Sequence, residues 1–204
     1  MSWQADTPRL ILASASSARA SLLRAAGLRF EVRPADIDEA QVRRRASAAH
    51  MAASTTALEL ARLKAAQVAG LEPNALVIGC DQLLVLRTRW FEKPSDVDAA
   101  RAQLRALRNE IHTLVTAVVC QQRDKKLWQH VAEPRLAMRD FSDAFLEEYL
   151  AVEHEHVTAS VGAYRLEGPG VNLFESIAGE NSAILGLPLL PLLGFLRRCG
   201  VLLN

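Results

Sequence analysis

Apolar and polar positions follow two periods along this chain. L-I-L-A at residues 10–13 predicts a short buried strand. From 17 to 26, Ala18, Leu22, Leu23 and Ala26 take helical spacing, with Gly27 as the stop. Residues 30–33 alternate as a strand does, and the Ala-rich stretch 42–70 reads mostly as helix. A-L-V-I-G-C-D-Q-L-L-V-L, residues 75–86, predicts two buried strands or one long one, interrupted at Asp81-Gln82. A helix begins at Ser95, with Asp96 and Asp98 in its first turn and Arg105 and Arg108 in its last, matching the helix dipole. Residues 111–120 and 126–132 form an antiparallel pair across Q-Q-R-D-K, and Ser142 caps a helix that ends near Val152. Residues 160–166 predict a further strand, and a terminal helix runs from Gly186. Strands mixed with helices, some joined by hairpins, predict an α/β fold: a mixed, mostly antiparallel-connected sheet flanked by helices. With no tandem repeat, low-complexity tract or linker, residues 1–204 read as a single domain.

Composition narrows the class. Lys and Arg number 24 against 23 Asp and Glu, which argues against a nucleic-acid binder relying on overall charge. Arg43-Arg44-Arg45 is the densest charge run and reads as a solvated helix face. Cys80, Cys120 and Cys199 are far apart and lack C-x-x-C spacing, which argues against zinc or a disulfide framework and for a reduced, cytoplasmic setting. The first residues lack the positive segment of a signal peptide. The apolar run at 184–196 carries Pro188 and Pro191 and is shorter than a membrane span; it reads as a core segment.

Several residues could carry chemistry. Asp81 sits within apolar residues, and burying an unpaired carboxylate costs several kcal/mol. It therefore lies in a cleft with a cation or hydrogen-bond network, or it occupies a hairpin turn at 80–83. Lys64 has Leu60, Ala61, Gln67 and Val68 three and four residues away, so its helix face is mostly apolar. It either snorkels or reaches into a cleft as a cation. Lys93 in F-E-K-P reads as an exposed loop lysine, and Glu39 in D-I-D-E as a surface acid or, with Asp36 or Asp38, a metal ligand. E-H-E-H at 153–156 suits chelation only on a strand; at a helix end it is solvated. The turn in L-I-L-A-S-A-S-S-A-R follows a strand and opens a helix, where free N–H groups favour an anion. No P-loop, G-x-G-x-x-G, H-E-x-x-H or G-x-S-x-G pattern occurs.

Read in order, these pieces become specific. S-x-S-x-x-R at 14–19 is followed by D-x-D-E at 36–39, A-R-x-K-A at 61–65, V-I-G-x-D at 77–81 and E-K-P at 92–94. G-A-Y-x-x-E-G-x-G, F-E-S-I-x-G and G-L-P-L close the series. This order and spacing resembles the Maf family of nucleoside triphosphate pyrophosphatases over nearly the whole chain. The resemblance implies an α/β fold of two lobes with a central cleft, like that of the inosine triphosphatases. It implies hydrolysis between the α and β phosphates, giving a nucleoside monophosphate and pyrophosphate with a divalent metal, Mg²⁺ or Mn²⁺. By its motifs, Ser14, Arg19, Glu39, Lys64, Asp81 and Lys93 surround the triphosphate. Asp81 is the proton acceptor, Glu39 and Asp81 hold the metal, and Lys64 joins them in catalysis. Nucleic acid and membrane are not expected partners, and the resemblance allows a homodimer.

It also narrows the base. Members favouring dTTP and UTP often read S-P-R-R, G-A-D-T and G-A-Y-x-x-Q-G, where this chain has Ser17 and Ala18, Gln82 and Glu167. Gln82 and Glu167 resemble the subgroup acting on 7-methyl-GTP, although Ala18 stands where that subgroup often has an aromatic residue. The implied role is removal of modified nucleotides. The alternatives are a broader UTP, CTP or dTTP pyrophosphatase and a non-catalytic regulator of septum formation.

Overall fold

The computed structural model describes residues 3–204 except the side chain of Glu155. The chain divides into two units: one holds the N-terminal stretch to Gln82, Thr116–Ala132 and Glu180–Asn204; the other holds Leu83–Val115 and Glu133–Gly179. The expectation of one domain thus meets a chain of two units, threaded through one another along the sequence.

In the first unit, the predicted apolar run forms β1 (Leu10–Leu12), which pairs in parallel with β2 (Glu31–Val32) and with the start of β3 (Leu76–Leu86). Helix α1 (Ser17–Ala25) connects β1 to β2 and stops at Gly27, whose φ of 73° suits a residue without Cβ. The expected helix over 42–70 is two helices, α2 (Glu39–Ala48) and α3 (Ala53–Leu71). His50 at φ 50° turns the chain between them, and Met51 N–H closes the end of α2 on the Ala46 carbonyl at 2.9 Å. No Gly or Pro marks that break, so periodicity alone runs across it.

Strand β3 decides the open question at Asp81: it continues straight through, and there is no hairpin at 80–83. Alternation along it puts Ile78, Cys80 and Gln82 on one face and Val77, Gly79 and Asp81 on the other. Ile78 and Cys80 enter a core with Leu10, Leu12, Leu23, Val118 and Cys120, closed by Leu192, Phe195 and Leu196. Burial pushes the Cys80 thiol up to about 11, so this sulfur behaves as a hydrophobe. The opposite face lies against α3. A Cβ at Gly79 would stand 2.2 Å from the Ala61 carbonyl oxygen and 2.7 Å from the Ala65 nitrogen, so only glycine admits the helix this close. The predicted hairpin forms from β5 (Ile111–Gln122) and β6 (Lys125–Ala132). The apolar C-terminal run supplies α6 (Asn181–Ile184) and α7 (Leu189–Arg198), with Leu192, Phe195 and Leu196 buried as expected. No helix among the described residues is long and apolar enough to cross a membrane.

In the second unit, the end of β3 pairs antiparallel with β4 (Arg89–Phe91), and the start of β5 pairs with β7 (Arg135–Met138), which pairs with β8 (Phe174–Ala178). Helix α4 (Val97–Leu107) is capped by Asp96, one residue beyond the expected Ser95, and Ser142 caps α5 (Asp143–Glu153). Strands β7 and β8 escape pattern reading because one has four residues and the other is mostly exposed without alternation. The strand expected over 160–166 does not form. Gly162 and Ala163 both adopt positive φ, at 83° and 59°, which breaks an extended backbone into turns. Eight strands and seven helices among the described residues make the mixed α/β fold the sequence predicts.

Candidate active site

The first unit builds a charge network from four elements. Asp81 on β3 is 2% exposed, and its Oδ1 accepts from Lys64 Nζ at 2.7 Å. Lys64, on the buried face of α3, also lies 2.7 Å from Glu39 Oε1. It is therefore the inward cation rather than a snorkelling one. Glu39 opens α2 behind the N-cap Asp38, whose Oδ1 accepts from Gln41 N–H. Its other oxygen, Oε2, accepts from Arg43 Nη2 at 2.8 Å, and the same Nη2 stands 3.9 Å from Asp81 Oδ2. Arg43 was expected on a solvated face with Arg44 and Arg45; only the latter two are exposed. The missed signal is the i,i+4 spacing of Glu39 and Arg43, which puts both on one side of α2.

Electrostatics follow from this packing. Burial opposes ionisation of the Glu39 carboxyl, but the hydrogen bond and charge of Lys64, aided by Arg43 and Arg19, outweigh it. The group is held below its usual range. Asp81 Oδ2 is buried and has no hydrogen-bond partner. A buried carboxylate oxygen with a free lone pair is an acceptor awaiting a donor or a cation.

The serine turn is held by hydrogen bonds in place of glycine. Ser16 caps α1 by accepting from Arg19 N–H at 3.3 Å, and Ser14 Oγ accepts from Ser16 N–H at 3.2 Å. Arg19 folds back over this turn: Nη1 donates to Ser14 Oγ at 3.0 Å and to the Cys80 carbonyl at 3.2 Å, while Nε donates to the Gly186 carbonyl at 2.8 Å. Gly186 carries φ 102°, and a Cβ there would approach Arg19 Nε to 3.0 Å. The guanidinium is thus fixed through Nε and Nη1, with no bond from Nη2 to any described residue. Ala18 lies half-buried in the first turn of α1.

Gln82 faces away from Asp81 along the strand. Its Nε2 donates to Thr116 Oγ1 at 2.8 Å and to the Ala183 and Ile184 carbonyls at 3.0 Å each. Two carbonyl acceptors fix which end of the amide is NH₂. Its donors therefore hold the α6 turn that leads to Gly186, and Gln82 offers a ligand its carbonyl oxygen rather than its amide N–H. Thr116 and Gly186, absent from any sequence expectation, complete this support. Their partners lie over 60 residues away, with no local periodicity to reveal them.

Lys93 and Glu167 belong to the second unit and are both exposed, Lys93 after β4 and Glu167 in the loop following α5. Gln103 Nε2 steadies the Lys93 segment by donating to the Glu92 carbonyl at 2.7 Å. In E-H-E-H, His154 and His156 are exposed on a 3₁₀ turn, as a helix end requires, whereas Glu153 is buried. The Glu155 part of that stretch lies outside the described residues. No group of three or more His, Cys, Asp and Glu among the described residues could hold a metal, so a cation here would rest on Glu39, Asp81 and ligands from solvent or substrate.

The family model of Maf-like proteins matches residues 9–199, which takes in every residue of this network. The chain belongs to the Maf-like family. Among curated relatives, a nucleoside triphosphate pyrophosphatase of Granulibacter bethesdensis is 52% identical over 93% of this chain and 96% of its own. A 7-methyl-GTP pyrophosphatase of Rhizobium meliloti is 45% identical over 96% of this chain and 98% of its own. One of Brucella abortus with the same name is 44% identical over 94% and 96%. In this Maf-like chain the family motifs thus meet in space around Lys64, with Ser14 and Arg19 on the adjoining turn.

Proposed function

We propose that this Maf-like protein hydrolyses nucleoside triphosphates between the α and β phosphates, releasing a nucleoside monophosphate and pyrophosphate, with 7-methyl-GTP as its preferred substrate. The observation that carries this reading is Lys64 bridging Glu39 and Asp81 while Asp81 Oδ2 stays buried and unbonded. Lys64 holds one Asp81 oxygen, so the other is aimed and available to take a proton from water as that water attacks the α phosphorus. Arg19, locked by Ser14, Cys80 and Gly186, presents its remaining donors to the phosphate chain as charge develops there. Lys93 adds a second mobile cation. The unbonded Asp81 oxygen and the ionised Glu39 fit a divalent metal, Mg²⁺ or Mn²⁺, which would polarise phosphate oxygens and lower the pKa of a bound water.

Base choice rests on Gln82 and Glu167. A carboxylate at Glu167 matches the N1 and N2 donors of guanine, or the positive charge of its methylated form. The free Gln82 oxygen is likewise an acceptor, suited to a donor-bearing base. The relative from Granulibacter bethesdensis, with the more general name, favours a second reading of broader specificity. The protein acts in the cytoplasm on free nucleotides, without nucleic acid, and as a homodimer if it follows its family.

Pyrophosphate release from 7-methyl-GTP, GTP, UTP, CTP and dTTP, with and without Mg²⁺ or Mn²⁺, tests all of this. Asp81→Asn should abolish release and keep the fold, since Lys64 retains Glu39. Near-normal turnover by that variant refutes the role of Asp81. A pyrimidine preference refutes the base assignment alone, and no cleavage under any metal favours a regulator.

A further inference from the structure

Glu153 is a buried acid that the reaction above does not use. It ends α5, is 2% exposed, and accepts from Arg165 through both oxygens: Nε to Oε2 at 2.9 Å and Nη2 to Oε1 at 3.2 Å. Such a fork fixes direction as well as distance. Arg165 lies two residues before Glu167 in G-A-Y-R-L-E-G-P-G, and the pair is wrapped tightly by that segment. A Cβ at Gly168 would come within 3.2 Å of Glu153 Oε1, and one at Gly170 within 2.4 Å of the Arg165 carbonyl oxygen. Two further bonds hold the segment upstream: Tyr149 Oη donates to the Ala163 carbonyl at 3.0 Å, and Ser160 Oγ to the Tyr164 carbonyl at 2.6 Å. Every one of these ties stops short of Glu167, which remains exposed at the tip.

We propose that Glu153 and Arg165 are positioning residues for base selection: their buried fork sets the loop that carries Glu167. This rests on the reading of Glu167 as the base-recognising carboxylate. The pair touches no phosphate-binding residue named above, so it governs which base is accepted and leaves bond cleavage to the first unit. The E-H-E-H stretch thereby finds its role through its first residue, as an anchor for a loop instead of a chelator.

The test compares kcat/KM for 7-methyl-GTP and UTP in the full-length protein and three variants: Glu153→Gln, the double variant Glu153→Gln with Arg165→Met, and Glu167→Gln. Loosening the fork should lower the 7-methyl-GTP to UTP ratio on the order of tenfold while UTP turnover stays within about twofold. A structural role alone would lower both substrates together and leave the ratio unmoved, which overturns the proposal. If the single variant fails to fold by circular dichroism, the double variant decides, because it leaves no unpaired buried charge. Glu167→Gln separates the two levels. An unchanged ratio there removes the reading of Glu167 and the proposal with it. A changed ratio there, with unchanged ratios in the folded Glu153 variants, removes only the positioning.

Discussion

A single methyl group at Gly79 should both destabilise the protein and disable its site. The added Cβ would sit 2.2 Å from the Ala61 carbonyl oxygen, 2.7 Å from the Ala65 nitrogen and 2.9 Å from the Ala65 Cβ. Two of these are helix backbone atoms that have no rotamer to change, so α3 must withdraw by roughly 1 Å to restore ordinary contact distances. Overpacking of this kind costs about 3 kcal/mol. Restricting the unfolded chain offsets at most about 1 kcal/mol of it. The net loss of roughly 2 kcal/mol corresponds to a Tm lower by about 4–8 °C for a chain of this size. Lys64 lies between Ala61 and Ala65 and travels with the helix, away from oxygens of Asp81 and Glu39 that it now meets at 2.7 Å. A displacement of that size in a catalytic arrangement costs on the order of a hundredfold in rate. Thermal unfolding and pyrophosphate release measure the two effects. Gly70→Ala is the control: it lies near the end of the same helix with nothing within 4 Å of the added methyl. There, helix propensity should raise stability by about 0.5–1 kcal/mol. A Gly79→Ala protein that melts at the wild-type temperature with full activity would refute the packing argument.

Removing the amide with Gln82→Ala leaves the Ala183 and Ile184 carbonyls without their shared donor, which should cost about 1–3 kcal/mol. It should also raise KM by slackening the turn that holds Arg19 through Gly186; unchanged KM and Tm would count against that linkage. His112 on β5 is 1% exposed, meets Tyr164 Oη at 2.7 Å through Nε2, and burial pushes its pKa down to about 4. The unfolded chain binds this proton below about pH 6.5 and the folded chain only below about pH 4. Stability from this group is therefore intact above pH 6.5 and falls as pH drops, by about 3 kcal/mol once pH is below 4. Urea titrations at pH 7 and pH 4 should show a smaller acid loss for His112→Gln than for wild type; equal losses would contradict the assignment.

Much of the site was legible because its parts announce themselves locally. Lys64 shows as a cation on an apolar helix face, Asp81 as an acid inside an apolar run, and the serine turn as a strand-to-helix junction. Arg43 did not, because a run of three arginines looks the same whichever one turns inward; only the position of Glu39 at the start of α2 selects it. Glu153 was hidden in the same way. Its neighbours suggested chelation, while its actual partner lies twelve residues on, in a loop with no regular period. The strand expected over 160–166 failed because two consecutive positive φ values are invisible to an apolar count. The short or exposed strands β7 and β8 lack any alternation to read.

By itself, then, the sequence determined the order of elements, the buried faces and the ordered motifs that imply phosphate chemistry. These depend on side-chain period and residue type, which are properties of neighbours in the chain. The tertiary structure decided that β3 runs unbroken through Asp81, that Gly79 lets α3 close on it, and that Lys64 joins two carboxylates. It also decided that Gln82 is occupied in holding a distant turn. Those outcomes depend on which backbones approach within a few ångströms of each other, and that distance is set by packing between segments far apart in the chain.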